Sequence, residues 1–302
     1  MIVVVAPGQG SQSPGFLTPW LELDGVADHL ERLGAAAELD LVSLGTTADA
    51  DTIRRTEVAQ PLIVAAGLVA AAALDRPVAA LAGHSVGEIT AAVLAGVLGE
   101  EEGMRLIATR GRAMAEAAAR TPTGMSAVVG GDERVVVERI EQLGLTPANR
   151  NGGGQIVASG ALDALESLRS EPPAGARVIP LQVAGAFHTE YMRSAVDELA
   201  AFAGTLEPAD PTARLWTNHD GTEVAGGAAF LDLLVGQVAS PVRWDRTMES
   251  FAAAGITGLV ELTPAGTLVG LAKRALKGVP AVAVKSPADL PAARDLLDRT
   301  ES

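Results

Sequence analysis

Val78-Ala79-Ala80-Leu81-Ala82-Gly83-His84-Ser85-Val86-Gly87-Glu88-Ile89-Thr90-Ala91-Ala92-Val93-Leu94-Ala95-Gly96-Val97 joins a short apolar run to an alanine-rich helical pattern through a Gly-x-Ser-x-Gly turn. That order is the nucleophile elbow of an α/β protein. The turn between strand and helix is tight enough to hold its serine in a strained backbone conformation. Gly83 and Gly87 carry no side chain, so strand and helix can close around Ser85. The hydroxyl then stands above the sheet, and the first N–H groups of the helix face the place where negative charge develops. Chance occurrences of the motif are ordinary strand-helix turns. Here a strand and a helix lie on the correct sides, so Ser85 is the candidate nucleophile.

Working outward, Ile2 to Ala6 is an apolar, mostly β-branched run stopped by Pro7-Gly8, the pattern of a buried parallel strand. Pro7-Gly8-Gln9-Gly10-Ser11-Gln12 fits neither the dinucleotide nor the phosphate-loop spacing, but its glycines can bring the N–H of Gln9 to a substrate oxygen. Thr56 to Pro61 opens a long apolar helix, with Gln60 beside the proline as a cap or a cleft residue. Glu100 starts another helix, which carries Arg105, Arg110 and Arg112. Arginines on a helix are ordinarily solvated, and Arg110 matters only if its face turns toward Ser85.

From residue 123 the texture changes. Strands at 125–129, 145–149, 155–159 and 177–183 alternate with helices at 132–142 and 161–169, giving β-α-β-β-α-β, a ferredoxin-like unit. The expected organisation is a large α/β-hydrolase-like part with a mostly parallel sheet at 1–122 and 186–302, interrupted by a small unit at 123–185. Gly152-Gly153-Gly154 reads as a turn, because no helix opens directly after it. A strand is expected at Trp216, running into the Asn218-His219-Asp220-Gly221 turn.

A serine nucleophile needs a base. Of four histidines, His29 falls on an acidic surface helix, His84 adjoins the nucleophile and points elsewhere, and His219 lies in a polar turn. His188 follows the small unit, at the junction with the large one, a natural cleft position.

Composition sets the bounds. The chain has 302 residues, 48% hydrophobic, with mean hydropathy +0.26, enough for a large core. Net charge is −14, which argues against a nucleic-acid partner. There is no cysteine, so disulfides, thiolate metal sites and a cysteine nucleophile are excluded. The start lacks the basic segment of a signal peptide, and no apolar run reads as long and charge-free enough to span a bilayer. A cytoplasmic monomer without membrane attachment is the expectation. The only three lysines are Lys273, Lys277 and Lys285, with Arg274 among them. They either cap a helix end against its dipole or form a docking patch.

Taken together, Pro7-Gly8-Gln9-Gly10-Ser11-Gln12, Gly83-His84-Ser85-Val86-Gly87-Glu88, Arg110-Gly111-x-x-Met114, Gly185-Ala186-Phe187-His188, Ser240-Pro241-Val242-Arg243-Trp244 and Thr263-Pro264-Ala265-Gly266-Thr267-Leu268 resemble the malonyl-CoA:acyl carrier protein transacylases, in that family's order and along essentially the whole chain. The resemblance implies a Ser85–His188 dyad whose histidine is oriented by a backbone carbonyl, mapped to Arg243. It implies an oxyanion hole from the N–H groups of Gln9 and Val86, and Arg110 as the grip on the malonyl carboxylate. Gln60 and Asn151 match polar positions of the family's pocket. The implied reaction is ping-pong transfer of malonyl from coenzyme A to the phosphopantetheine thiol of acyl carrier protein, in fatty acid or polyketide synthesis, with no metal or redox cofactor. Phe187 matches the malonyl version of its motif, and Ala6 departs from the family by replacing an aromatic residue. The acidic carrier protein would dock at Lys273, Arg274 and Lys277. The competing readings are a serine esterase or thioesterase, which would need an acid and a late histidine, and a non-catalytic carrier-binding module.

Overall fold

The computed structural model describes residues 1–299; Thr300, Glu301 and Ser302, the end of the expected 186–302 segment, lie outside the described residues. Among the described residues, nine strands form two sheets: β1 (Ile2–Ala6), β2 (Ala80–Gly83), β3 (Thr123–Gly130), β4 (Thr146–Gly152), β5 (Gln155–Ala161), β6 (Ala176–Pro180), β7 (Arg214–Leu215), β8 (Gly258–Glu261) and β9 (Ala281–Ala283). The first sheet has the order β7-β2-β1-β8-β9, with every pair parallel. Its central strand explains its composition. Ile2 and Val4 enter the core on one face, Val3 and Val5 enter the core on the other, and none has a polar face to show.

The second sheet has the order β4-β5-β3-β6, all antiparallel, with the helices Glu133–Gln142 and Leu162–Ser170 packed on it. This is the ferredoxin-like unit expected from the pattern. Val128, Val136, Ile140, Ile156, Leu165 and Leu168 are among the residues of its separate core. Gly152, Gly153 and Gly154 make the β4–β5 turn, all with left-handed φ, the conformation that favours glycine.

Two expectations need correcting. The strand at Trp216 is shorter and earlier: β7 ends at Leu215, and Trp216 makes only an isolated bridge to Glu223, because Thr217 to Gly221 turns at once. The helix Thr56–Leu74 is also long and apolar enough, by length and composition, to cross a membrane. It is here the central core helix, buried on nearly all sides between the helix Glu100–Arg120 and its neighbours, which accounts for its lack of a polar face.

Candidate active site

The site forms at the carboxyl ends of β1 and β2, where chains of an open parallel sheet diverge and leave a crevice. A cavity of about 250 Å³ opens between the two sheets, and Gln9, Gln60, Ser85, Arg110, Asn151 and His188 are among its lining. Val86 lines it as well; Arg243 does not.

The elbow has the expected physical basis. A Cβ on Gly83 would overlap the Gly87 carbonyl, and one on Gly87 would overlap the Ala6 carbonyl. Ser85 sits at φ 53°, a left-handed conformation that costs roughly 1–3 kcal/mol for a non-glycine residue. Asn218 holds it there: its Oδ1 accepts the Ser85 N–H at 2.7 Å, and its Nδ2 donates to the Gly83 carbonyl at 2.7 Å.

His188 Nε2 lies 2.8 Å from Ser85 Oγ. The histidine also has positive φ, 61°, and its segment is fixed from the end of the helix Gly227–Gln237 and from the second sheet. Its N–H donates to the Val238 carbonyl, Ser159 Oγ donates to the Phe187 carbonyl, and Thr123 Oγ1 accepts from Ala186. The orienting carbonyl is not that of Arg243. Nδ1 is 2.8 Å from the carbonyl oxygen of Gln237, the last residue of the helix Gly227–Gln237. Carbonyls at a helix end have no partner within the helix and carry the negative end of its dipole, so one of them can steady an imidazolium as an aspartate would. Arg243 instead pairs through its side chain with Asp245 and through its N–H with the Asn218 carbonyl.

Arg110 faces inward. On the helix Glu100–Arg120 it shares a buried face with Ile107, Gly111 and Met114, while Arg112 is exposed and Arg105 pairs with Glu101. Arg110 is 2% exposed, which excludes the surface-arginine reading. Its Nη1 donates to Gln60 Oε1 at 2.7 Å, and its Nη2 to Gln237 Oε1 and Ser85 Oγ, each at 3.2 Å. Gln60 therefore acts as a brace on Arg110. Asn151 lines the cavity but is engaged at both ends: Oδ1 meets His84 Nε2 at 2.8 Å, and Nδ2 donates to Gln155 at 3.0 Å. It ties the elbow to the small sheet. The backbone N–H groups of Gln9 and Val86 have no acceptor among the described residues, as an oxyanion hole requires.

Three residues at the centre were not singled out by the sequence: Gln237, Glu88 and Asn218. Glu88 is 1% exposed; its Oε1 accepts the Asn218 N–H at 2.6 Å and its Oε2 accepts from Gln237 Nε2. An acid in the first turn of a helix reads as a dipole complement, and a carbonyl role is open to any residue type. The signal for Gln237 was a polar residue ending an apolar helix whose other polar side chain is Asp232.

Burial pushes the Glu88 carboxyl up to about 8 and the Arg110 guanidinium down to about 10. Burial, followed by the nearby charge of Arg110, pushes His188 down to about 3, so the imidazole stands neutral with Nε2 unprotonated toward Ser85 when Nδ1–H donates to the Gln237 carbonyl. Burial also lowers His84. The unfolded chain takes up a proton at His188 below about pH 6.5 and the folded chain does not until about 3, so this linkage weakens the fold from about 6.5 downward toward about 3, and His84 acts in the same direction. Because the raised Glu88 carboxyl has the opposite pH dependence over this window, the histidine contribution is read as a difference: the stability of the unaltered protein relative to His188→Gln in thermal unfolding is expected to fall between pH 7.5 and pH 5.5. A variant with the unaltered slope would show that His188 titrates alike in both states.

A strained serine, a neutral histidine held by a carbonyl and a buried cation beside the nucleophile define an acyl-transferring serine enzyme. The chain belongs to the acyl transferase family, whose domain matches residues 3–294. Over 296 residues it is 55% identical to the malonyl CoA-acyl carrier protein transacylase of Mycobacterium tuberculosis H37Rv, covering 96% of this chain and 98% of that one. The crystal structure of MCAT from Mycobacterium tuberculosis superposes with a TM-score of 0.94 at 54% identity, covering 97% and 99% of the two chains. A malonyl-transacylase solved in complex with a type II PKS acyl-carrier protein is also similar, with a TM-score of 0.90, 29% identity, and 97% and 99% coverage.

Proposed function

We infer that this protein transfers malonyl from malonyl-CoA to the phosphopantetheine thiol of an acyl carrier protein. The observation that carries the reading is the buried Arg110 cation 3.2 Å from the Ser85 hydroxyl. A cation kept out of water beside a nucleophile suits an acyl group that ends in a carboxylate, and the planar guanidinium meets a carboxylate through paired hydrogen bonds.

The steps follow from the distances. His188 Nε2 takes the Ser85 proton as Oγ attacks the thioester carbonyl. The N–H groups of Gln9 and Val86 receive the oxyanion, and the imidazolium leans on the Gln237 carbonyl. The C–S bond breaks, coenzyme A leaves with the proton from His188, and malonyl remains as an ester on Ser85. The carrier thiol then gives its proton to His188 and attacks that ester, restoring the serine. Every proton and electron pair is carried by Ser85, His188 and the two thiols, so the reaction as proposed calls on no metal or redox group. The esterase reading is weaker, because the partner of His188 Nδ1 is a carbonyl and not an acid. Intact-mass measurement after mixing with malonyl-CoA tests the choice: a lasting malonyl adduct supports transfer, and rapid release of free malonate supports hydrolysis.

The carrier protein is proposed to dock beside the helix Thr267–Ala275. Thr267, Leu268 and Leu271 of that helix line the cavity, while Lys273, Arg274 and nearby Lys277 are exposed. Arg274 Nε donates to the Gly153 carbonyl at 3.1 Å, so the cations adjoin the β4–β5 turn of the small sheet. On a chain of net charge −14, a local basic patch is what attracts an acidic partner. Lys273→Glu/Lys277→Glu is expected to raise the KM for carrier protein at low salt and to leave self-acylation by malonyl-CoA unchanged. An unchanged KM would assign these lysines to the helix end alone.

A further inference from the structure

We propose that Glu88 is a positioning residue that acts through the Gln237 amide to aim Arg110 at the carboxylate of the acyl group. The proposal rests on the malonyl reading above. A buried carboxylate is costly unless it is paired and hydrogen-bonded, so its presence needs a cause. Two printed donors hold the two oxygens of Glu88: the Asn218 N–H at 2.6 Å on Oε1 and Gln237 Nε2 on Oε2. Each carboxyl oxygen accepts one of these bonds, a capacity a carboxyl keeps in either protonation state.

The consequence runs along Gln237. An amide has a donor end and an acceptor end. With Nε2 committed to Glu88, Oε1 must face the other way, and there it accepts from Arg110 Nη2 at 3.2 Å. Turned over, the amide would set its NH₂ against the guanidinium. Arg110 is thus braced by two amide oxygens, those of Gln60 and Gln237, and not by a carboxylate. This arrangement resolves a conflict. A buried guanidinium needs acceptors nearby, yet an acid paired directly with it would compete with the substrate. Placing Glu88 one amide away fixes the acceptor end of Gln237 on the guanidinium and leaves donors of the fork for the acyl carboxylate.

The test is self-acylation of Glu88→Gln with malonyl-CoA and acetyl-CoA in parallel, alongside thermal unfolding. The substituted amide would present a donor to a pair of donors and release the Gln237 side chain. Hydrogen bonds to a charged group bear on the site by about 10- to 100-fold, so kcat/KM for malonyl-CoA should fall by that much. Acetyl-CoA, which makes no use of the fork, should lose less than about threefold. Gln237→Met keeps the length of the side chain and the backbone carbonyl to His188 but cuts the same chain of hydrogen bonds. It should reproduce the malonyl-specific loss, and it serves as the test if Glu88→Gln does not fold. The double variant should lose little more than either single one. Equal losses on both thioesters, or an unchanged malonyl-to-acetyl ratio, would overturn the proposal. If Arg110→Ala keeps its malonyl preference, the malonyl reading itself fails; if only the Glu88 and Gln237 variants keep it, the failure is confined to this proposal.

Discussion

Ser85→Ala and His188→Ala are each expected to lose nearly all transfer activity, and the double variant to lose little more. Oγ and Nε2 stand 2.8 Å apart, so each group is useful only with the other in place. Knocking out the serine or the histidine of a comparable site costs about 10⁶-fold, with single and combined losses nearly equal. The two variants should still differ in one respect. Ser85→Ala leaves no atom to acylate, so the malonyl adduct should vanish from the mass spectrum. His188→Ala keeps Oγ in the elbow, where Arg110 Nη2 donates to it at 3.2 Å. A slow residual adduct is therefore expected with malonyl-CoA. Losses that add in free energy would mean that serine and histidine act in separate steps.

What the sequence made legible here is what side chains encode through spacing. The elbow was readable because two glycines are the sterically permitted residues at 83 and 87, where any Cβ would strike backbone. The small sheet was readable from alternating strand and helix patterns, with boundary errors of a few residues: β4 runs on to Gly152 and β6 stops at Pro180. His188 was within reach by elimination among four histidines. The partner of its Nδ1 was not, since a carbonyl leaves no mark in a sequence, and Gln237 lies 49 positions away on a helix with no motif of its own. Arg243 was a reasonable place to look, because its segment does touch the site. Its N–H holds the Asn218 carbonyl, and Asn218 in turn holds the Ser85 N–H. Asn151 illustrates the opposite difficulty. Its presence in the cavity was legible, but its engagement with His84 depends on how the two sheets meet, which local pattern does not record.

Arg110→Ala is expected to reduce kcat/KM for malonyl-CoA by about a hundred- to several-thousand-fold. The argument is electrostatic. In the buried site the malonyl carboxylate would be left without its cation, and breaking such a pair costs roughly 3–5 kcal/mol. Acetyl-CoA brings no carboxylate, so that part of the loss cannot apply to it. The structure adds a smaller, shared loss. Arg110 also donates to Ser85 Oγ, and its removal leaves Gln60 Oε1 and Gln237 Oε1 without their donor. A modest fall with acetyl-CoA, about tenfold or less, is the corresponding expectation for one lost hydrogen bond at the nucleophile. The difference between the two thioesters isolates the carboxylate grip. Arg110→Lys sharpens the comparison, because it keeps the charge and loses the planar fork. It should recover part of the malonyl rate while remaining well below the unaltered enzyme. Parallel losses on both thioesters would reassign Arg110 to support of the nucleophile. A full recovery with lysine would mean that a point charge suffices, and that the bracing by Gln60 and Gln237 serves only to keep the cation in place.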